Sequence, residues 1–244
     1  MKKITLSTLL LIIITGSFAQ KKELPLFNQF ADLTGTVGKD QGSVAGSYVH
    51  NWRLGQKRKF ELGIGGRITG YFGTKKDYLT APAKLARTTT FPFIIVFAGQ
   101  KEKNFDTLTV QRPLTTSVNF TANLGYHLSP HWYAGFNIDV IGLTFGKNTN
   151  AVFTSNGITV TEPLAKPSPF NLLLTGDNDL GSLNSEFFLK YNINHRWAVR
   201  GVYQFLFSEY KTTTVQQTAP DGTVNNRFRN KANNFGLGVS YSIK

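Results

Sequence analysis

The sequence predicts an all-β fold of antiparallel, up-and-down strands, and three observations carry that prediction. Apolar and polar residues alternate with period two over long stretches, which puts one kind on each face of a strand. Tight turns alternate with long connections along the chain. One hairpin pattern is written twice, as YHLSPHWYAGF at 126–136 and YNINHRWAVRG at 191–201: an alternation ending in Tyr, a short turn, and a Trp that opens the next alternation.

The first residues read as an export signal. Lys2 and Lys3 precede the apolar run 9–14, and Ser17-Phe18-Ala19 is a small-x-small cleavage site, so 1–19 is expected to be a signal peptide and 20–244 the mature domain. The apolar run is shorter than a spanning helix requires, and no later run reaches that length. With no Cys among 244 residues the fold needs no disulfide, and no lipidated Cys follows the signal. The formal charge of +13 would suggest a nucleic-acid partner in a cytoplasmic protein, but export excludes that class. Much of the charge lies outside the alternating segments, in Lys75, Lys76, Lys84, Arg87, Lys101, Lys103, Arg227, Arg229 and Lys231, where it keeps loops soluble or attracts anionic lipid head groups.

Six strands are plain. In 60–72 the even positions (Phe60, Leu62, Ile64, Ile68, Phe72) are apolar and the odd ones include Glu61 and Arg67. The same phase runs through 118–128, where Asn119, Asn123 and His127 take the polar side, and through 132–140, where Tyr133, Asn137 and Asp139 do. It returns in 187–193 against Glu186 and Lys190, in 197–207 against Arg200 and Gln204, and in 235–243 against glycines and serines. Two weaker strands, 27–37 and 44–54, bring the expected total to about eight, with ten possible. Turns at 55–59, 129–131 and 194–196 then share one end with both chain termini, and connections at 73–115, 146–182 and 211–231 share the other.

Strands of about ten residues with tight turns at one end and long loops at the other are what a sheet closed into a membrane-spanning barrel requires, whereas soluble strands average five or six residues. On that reading Trp52, Tyr126, Trp132, Tyr191, Trp197 and Tyr241 sit on the apolar phase near the turn ends and form an aromatic girdle at the membrane interface. The polar phase, with Glu61, Arg67, Asn119, Asn123, Asp139, Glu186, Lys190 and Arg200 among many glycines, is expected to line a narrow lumen. The rival is a secreted, lipocalin-like carrier with Phe136, Leu189 and Leu237 meeting in a dry centre. Its solvent face would carry more Lys and Glu and less Gly than this polar phase does.

Ser17-Phe18-Ala19, the hairpins at 126–136 and 191–201, and the closing alternation Phe235, Leu237, Val239, Tyr241, Ile243 together resemble the small outer-membrane β-barrels of Gram-negative bacteria, the group that includes the membrane domain of outer-membrane protein A. The resemblance covers most of the mature chain and is one of pattern. It implies a bacterial outer-membrane location, lipid and lipopolysaccharide as surroundings, the barrel-assembly machinery as a partner, and extracellular loops that contact envelope or extracellular proteins. Many such barrels end on an aromatic residue, whereas this chain ends Ser242-Ile243-Lys244, so its assembly signal is either variant or supplied by Tyr241.

Some barrels similar in plan modify lipid A with His and Ser at the outer leaflet. Here His50, His127, His131 and His195 all fall near the short turns, so no enzyme, catalytic residue, metal or cofactor is expected. His127 and His131 have a helical ligand spacing broken by Pro130. Residues 177–181 (Asp-Asn-Asp-Leu-Gly) have carboxylates misplaced for a calcium loop and read as turn chemistry. Gly63, Gly65, Gly66, Gly236 and Gly238 are expected at close-packed lumenal positions. The look-alike segments 108–114 and 158–164 suggest strands that rise above the bilayer. The run 91–97 is too apolar to lie bare in water and is expected to fold over the mouth, pair as extra strands, or meet a partner. The expected role is structural or interactive, with a narrow transport pore as the alternative.

Overall fold

The long β ladder follows from the period-two pattern. The computed structural model describes residues 25–243, so the expected signal peptide, 1–19, and the next few residues lie outside the described residues. Fifteen strands follow in chain order: β1 (Phe27–Gly38), β2 (Gln41–Leu54), β3 (Phe60–Gly73), β4 (Lys76–Thr80), β5 (Thr107–Val110), β6 (Leu114–His127), β7 (Trp132–Phe145), β8 (Thr149–Ser155), β9 (Ile158–Pro167), β10 (Phe170–Leu172), β11 (Asn184–Asn192), β12 (Trp197–Lys211), β13 (Gln217–Thr218), β14 (Val224–Asn225) and β15 (Arg227–Ser242). Among the described residues a single short helix, α1 (Ala83–Ala86), and three 3₁₀ turns interrupt them.

The expected count of about eight is therefore corrected, because the long connections contain strands of their own. The apolar run 91–97 contributes none of them: Ile94–Phe97 is a 3₁₀ turn, and the extra strands lie on either side of it. β15 also begins at Arg227, inside the stretch that the sequence reads as loop.

Strands β1, β2, β3, β6, β7, β11, β12 and β15 pair each with the next, and β15 pairs back with β1, always antiparallel. This ring has no free edge, so every strand in it finds ladder partners on both sides. One bulge interrupts it: Phe120 faces Ile141 while Thr121 faces Asp139, leaving Val140 unpaired in the ladder. The bulge moves the apolar phase of β7 from even to odd positions, which returns Ile141 and Leu143 to the outside. The carbonyl of Val140 accepts instead from Leu173 N–H at 2.7 Å.

Beyond the long-loop end of the ring, β12 and β15 remain paired to each other but change their outer neighbours. Tyr210 and Lys211 meet β9, and Phe228 and Arg229 meet β4. β4 pairs with β5, β5 with β8 and β8 with β9, so a second, smaller closed set of pairings stands on the first. Its inward side chains, Tyr78, Leu108, Val110, Ala151, Phe153, Ala165, Tyr210 and Phe228, form an apolar core, with Tyr78 edge-on to Tyr210 at 5.2 Å and Phe153 edge-on to Phe228 at 5.7 Å. The segments 108–114 and 158–164 both enter this upper sheet.

Glu162 on β9 fastens the upper ring to the connection after β12. Its carboxylate accepts the backbone N–H groups of Leu164, Thr213, Thr214 and Val215 at 2.8–3.1 Å and the hydroxyls of Thr213 and Thr214. Burial alone would raise this carboxyl, but the backbone donors outweigh it and bring it down from 4.5 to about 2.

Two outcomes are expected. Phe228→Ala empties the centre of the upper core and should cost about 3–5 kcal/mol, seen as faster protease cutting in 81–106. Because the Glu162 carboxyl is depressed on folding, its contribution is present above about pH 4.5 and is lost as the pH falls towards about 2. Protease cutting in 212–226 should rise across that window, and Glu162→Gln should flatten the dependence.

Candidate functional site: the ionic interior and the apolar wall

The inward phase of the large ring carries charge, and the charges are compensated in layers. Nearest the short turns, the fully buried Glu61 carboxylate accepts from Asn28 (2.9 and 3.0 Å), Asn51 (2.9 Å), Arg53 Nε (2.9 Å) and the Tyr133 hydroxyl (2.9 Å), and His127 Nε2 lies 2.7 Å away. Gly125 makes room for this hub, since a Cβ there would collide with the Tyr133 hydroxyl.

Further up, Arg67 donates to Asp139 Oδ1 through Nε at 2.9 Å and a terminal nitrogen at 2.5 Å, with Glu186 at 3.4 Å. Arg200 donates to Glu186 at 2.8 Å and to Asp32. Asn119 donates to Asp139 at 2.6 Å and accepts from Asn171 at 2.8 Å. Lys190 lies with its ammonium 3.5 Å from the centre of the Phe30 ring, and Arg200 stacks 3.9 Å from that of Phe188. A final layer gathers Thr36, Ser43 and Asn234 around Gln204.

All eight polar positions singled out in the sequence, Glu61, Arg67, Asn119, Asn123, Asp139, Glu186, Lys190 and Arg200, are thus buried within one ring. Tyr133 and Asn51 lie on the polar phase, as their alternation indicates, but four interior partners escaped the reading: Asp32, Asn28, Phe30 and Phe188. Phe30 and Phe188 point inward at buried cations, which spoils the alternation of their strands and hides Asp32 beside them. Of the glycines, Gly63, Gly65, Gly236 and Gly238 face atoms that a Cβ would strike, but Gly66 faces open space and is corrected to the outer side.

The outward phase is apolar at level after level. Leu237 is 77% exposed, Phe120 72% and Phe235 67%, with Phe187, Leu189, Ile64 and Ile68 also exposed, so the carrier arrangement with a greasy centre is not the one present. At the short-turn end Trp132 faces Tyr191 and Trp197 faces Tyr241 across the ladder, each pair with ring centres 5.0 Å apart. Trp52 faces Phe27 and Tyr126 faces Phe60 at the same end. The repeated hairpin therefore sets each Trp beside a Tyr of the neighbouring strand.

The four histidines stay at that end. His50 Nδ1 lies 2.8 Å from Gln29, His127 joins the Glu61 hub, and His131 is stacked on Tyr191. Asp177 is held by cations: Arg87 Nε and Lys231 Nζ are each 2.5 Å away. Burial would raise its carboxyl, but Lys231 and Arg87 outweigh burial and hold it below the usual range. A void between Thr69, Ser117, Ser182, Asn184 and Leu206 amounts to about 10 Å³, room for roughly one water.

No protein-family model and no curated protein matches the chain. Among solved structures it is similar to Neisserial surface protein A (TM-score 0.36, 11% identity, 89% of this chain and 97% of that one). It is likewise similar to the attachment invasion locus protein of Yersinia pestis (TM-score 0.36, 9% identity, 90% and 100%) and to a de novo designed transmembrane β-barrel (TM-score 0.35, 6% identity, 91% and 99%).

Removing the Glu61 carboxylate strands Arg53, Asn28, Asn51 and Tyr133 in a buried site. Glu61→Ala should therefore cost about 3–5 kcal/mol, read as a lower urea midpoint for the protein folded in detergent micelles.

Proposed function

We propose that residues 20–244 form a β-barrel of eight spanning strands in a bacterial outer membrane, exported by the signal peptide 1–19, with a structural and interactive role. The observation that carries this reading is the closed ring whose outside is greasy and whose inside is ionic. In water such a wall would leave apolar side chains exposed far beyond the few hundred Å² a soluble monomer tolerates. In hydrocarbon the same wall is the favoured one, and only helices or closed sheets leave no backbone group unpaired there. Trp52, Tyr126, Trp132, Tyr191, Trp197 and Tyr241 then serve as the girdle at the periplasmic interface, where amphipathic rings are favoured.

The upper ring and its basic connections stand outside the membrane. Their role in this reading is contact with lipopolysaccharide and with proteins of the envelope or surroundings. An eight-stranded ring encloses a space that side chains nearly fill, and the buried ion pairs of Arg67 and Arg200 lie within it, which favours anchoring and contact over conduction. The histidines, held at the opposite end from the outer leaflet, supply no outer-leaflet general base.

The folded protein in detergent should migrate faster than the boiled one in gels and should fractionate with outer membranes. In planar bilayers it should give no stable unitary current. An unshifted band in the soluble periplasmic pool would sink the membrane assignment, and a steady current would replace anchoring by transport.

A further inference from the structure

The run 91–97 is held at a definite height on the outside of the wall. Residues 87–101 fold as a hairpin: Arg87 bridges Gln100, Thr88 N–H donates to Gly99 and Lys101 N–H to Ala86. Its base is tied down by Arg87, which donates to the Ala98 carbonyl at 3.0 Å and to Asp177. Ile95 is buried against Gly176, and Asn178 donates to the Thr90 carbonyl at 3.1 Å. The tip itself is bare: Phe91, Phe93, Ile94 and Phe97 are all exposed, Phe97 by 89%.

The seat of this hairpin is the outer face of β15. Phe235, Leu237 and Val239 point outward, and steps of two along the strand reach Lys231 and Arg229 on the same face. Lys231 holds Asp177, and Arg229 and Arg227 donate to the Asp179 carbonyl. Lys231 pairs with Phe207 in the ladder, ten residues up β12 from the Trp197–Tyr241 pair. A strand rising about 3.3 Å per residue and tilted about 40° climbs about 25 Å over that interval, the height of the apolar band of an outer-membrane barrel. Asp177 and Gly176, on which the hairpin is seated through Arg87 and Ile95, therefore lie beside the wall at the level of the outer interface.

We infer that residues 91–97 are a lateral anchor that inserts Phe91, Phe93, Ile94 and Phe97 into the outer leaflet of the membrane the barrel spans, while Lys103 at its base faces anionic head groups. The inference rests on the barrel reading above. Exposed aromatic and aliphatic side chains beside lysines are the composition that binds a membrane interface, where rings bury and ammonium groups stay at the phosphates. A hairpin clamped by Arg87, Asp177 and Ile95 meets the lipid already shaped, so little ordering entropy opposes insertion.

The chain has no Cys, so a single one can report position. Phe97→Cys, Val199→Cys on the wall and Asp221→Cys on the β13–β14 turn would each carry an environment-sensitive fluorophore. Each full-length variant would be folded into vesicles of phosphatidylethanolamine and phosphatidylglycerol with brominated acyl chains. The expected result is a blue-shifted, quenched label at Phe97→Cys, matching Val199→Cys, with Asp221→Cys unquenched and open to aqueous iodide. Quenching at Val199→Cys with a water-like, iodide-accessible label at Phe97→Cys would overturn the lateral anchor while leaving the barrel standing, and the tip would then belong to a protein partner. Failure to quench at Val199→Cys as well would overturn the barrel reading itself.

Discussion

Two buried guanidinium groups, Arg67 and Arg200, reach one carboxylate, Glu186, from different sides of the ring, and the rest of the interior is arranged so that this is tolerable. A charge taken from water costs several kcal/mol unless partners replace the lost hydration. Asp139 and Asp32 supply those partners on the far side of each arginine, and Lys190 brings the cations level with the three carboxylates. Since the partners come from β1, β3, β7, β11 and β12, the network cross-links strands far apart in the chain. Register errors would strand a charge, so the same cost that makes the interior expensive also makes it selective for one alignment.

The ladder and the network divide the labour. Backbone pairing closes the ring and removes its edges, but an all-backbone description would allow strands to slip by two residues without changing which face is greasy. The interior pairs discriminate among those slips. The aromatic pairs Trp132–Tyr191 and Trp197–Tyr241 act at the other surface, joining adjacent hairpins at a common level.

Above the large ring the problem changes, and so does the solution. The extensions of β12 and β15 outgrow their neighbours β11 and β1, and the freed ladder groups are taken up by β9 and β4. Here the inward face becomes apolar, around Tyr78, Tyr210 and Phe228, which is the dry core a small sheet in water needs and which the large ring, proposed to face lipid, does without. The inversion occurs within single strands: β12 presents Arg200 and Gln204 inward low down and Tyr210 inward at the top. One continuous hairpin thus belongs to both rings.

The alternation along 60–72, 118–128 and 235–243 was enough to define strands, their two faces and the short-turn end, because a period of two is local and each residue reports its own side. The polar set from Glu61 to Arg200 was legible for the same reason. Pairing partners were not: Asp32 meets Arg200, 168 positions away, and nothing in either segment marks the other. The upper ring was only hinted at by the likeness of 108–114 to 158–164, since strands as short as β4 and β5 carry too few alternations to stand out from loop. The inward rings Phe30 and Phe188 and the bulge at Val140 broke the pattern where contacts with cations, or a local ladder slip, outweighed the rule. Sequence alone therefore determined the faces, while only the tertiary structure decided who meets whom, because closure brings together side chains whose complementarity is a property of the pair and not of either residue.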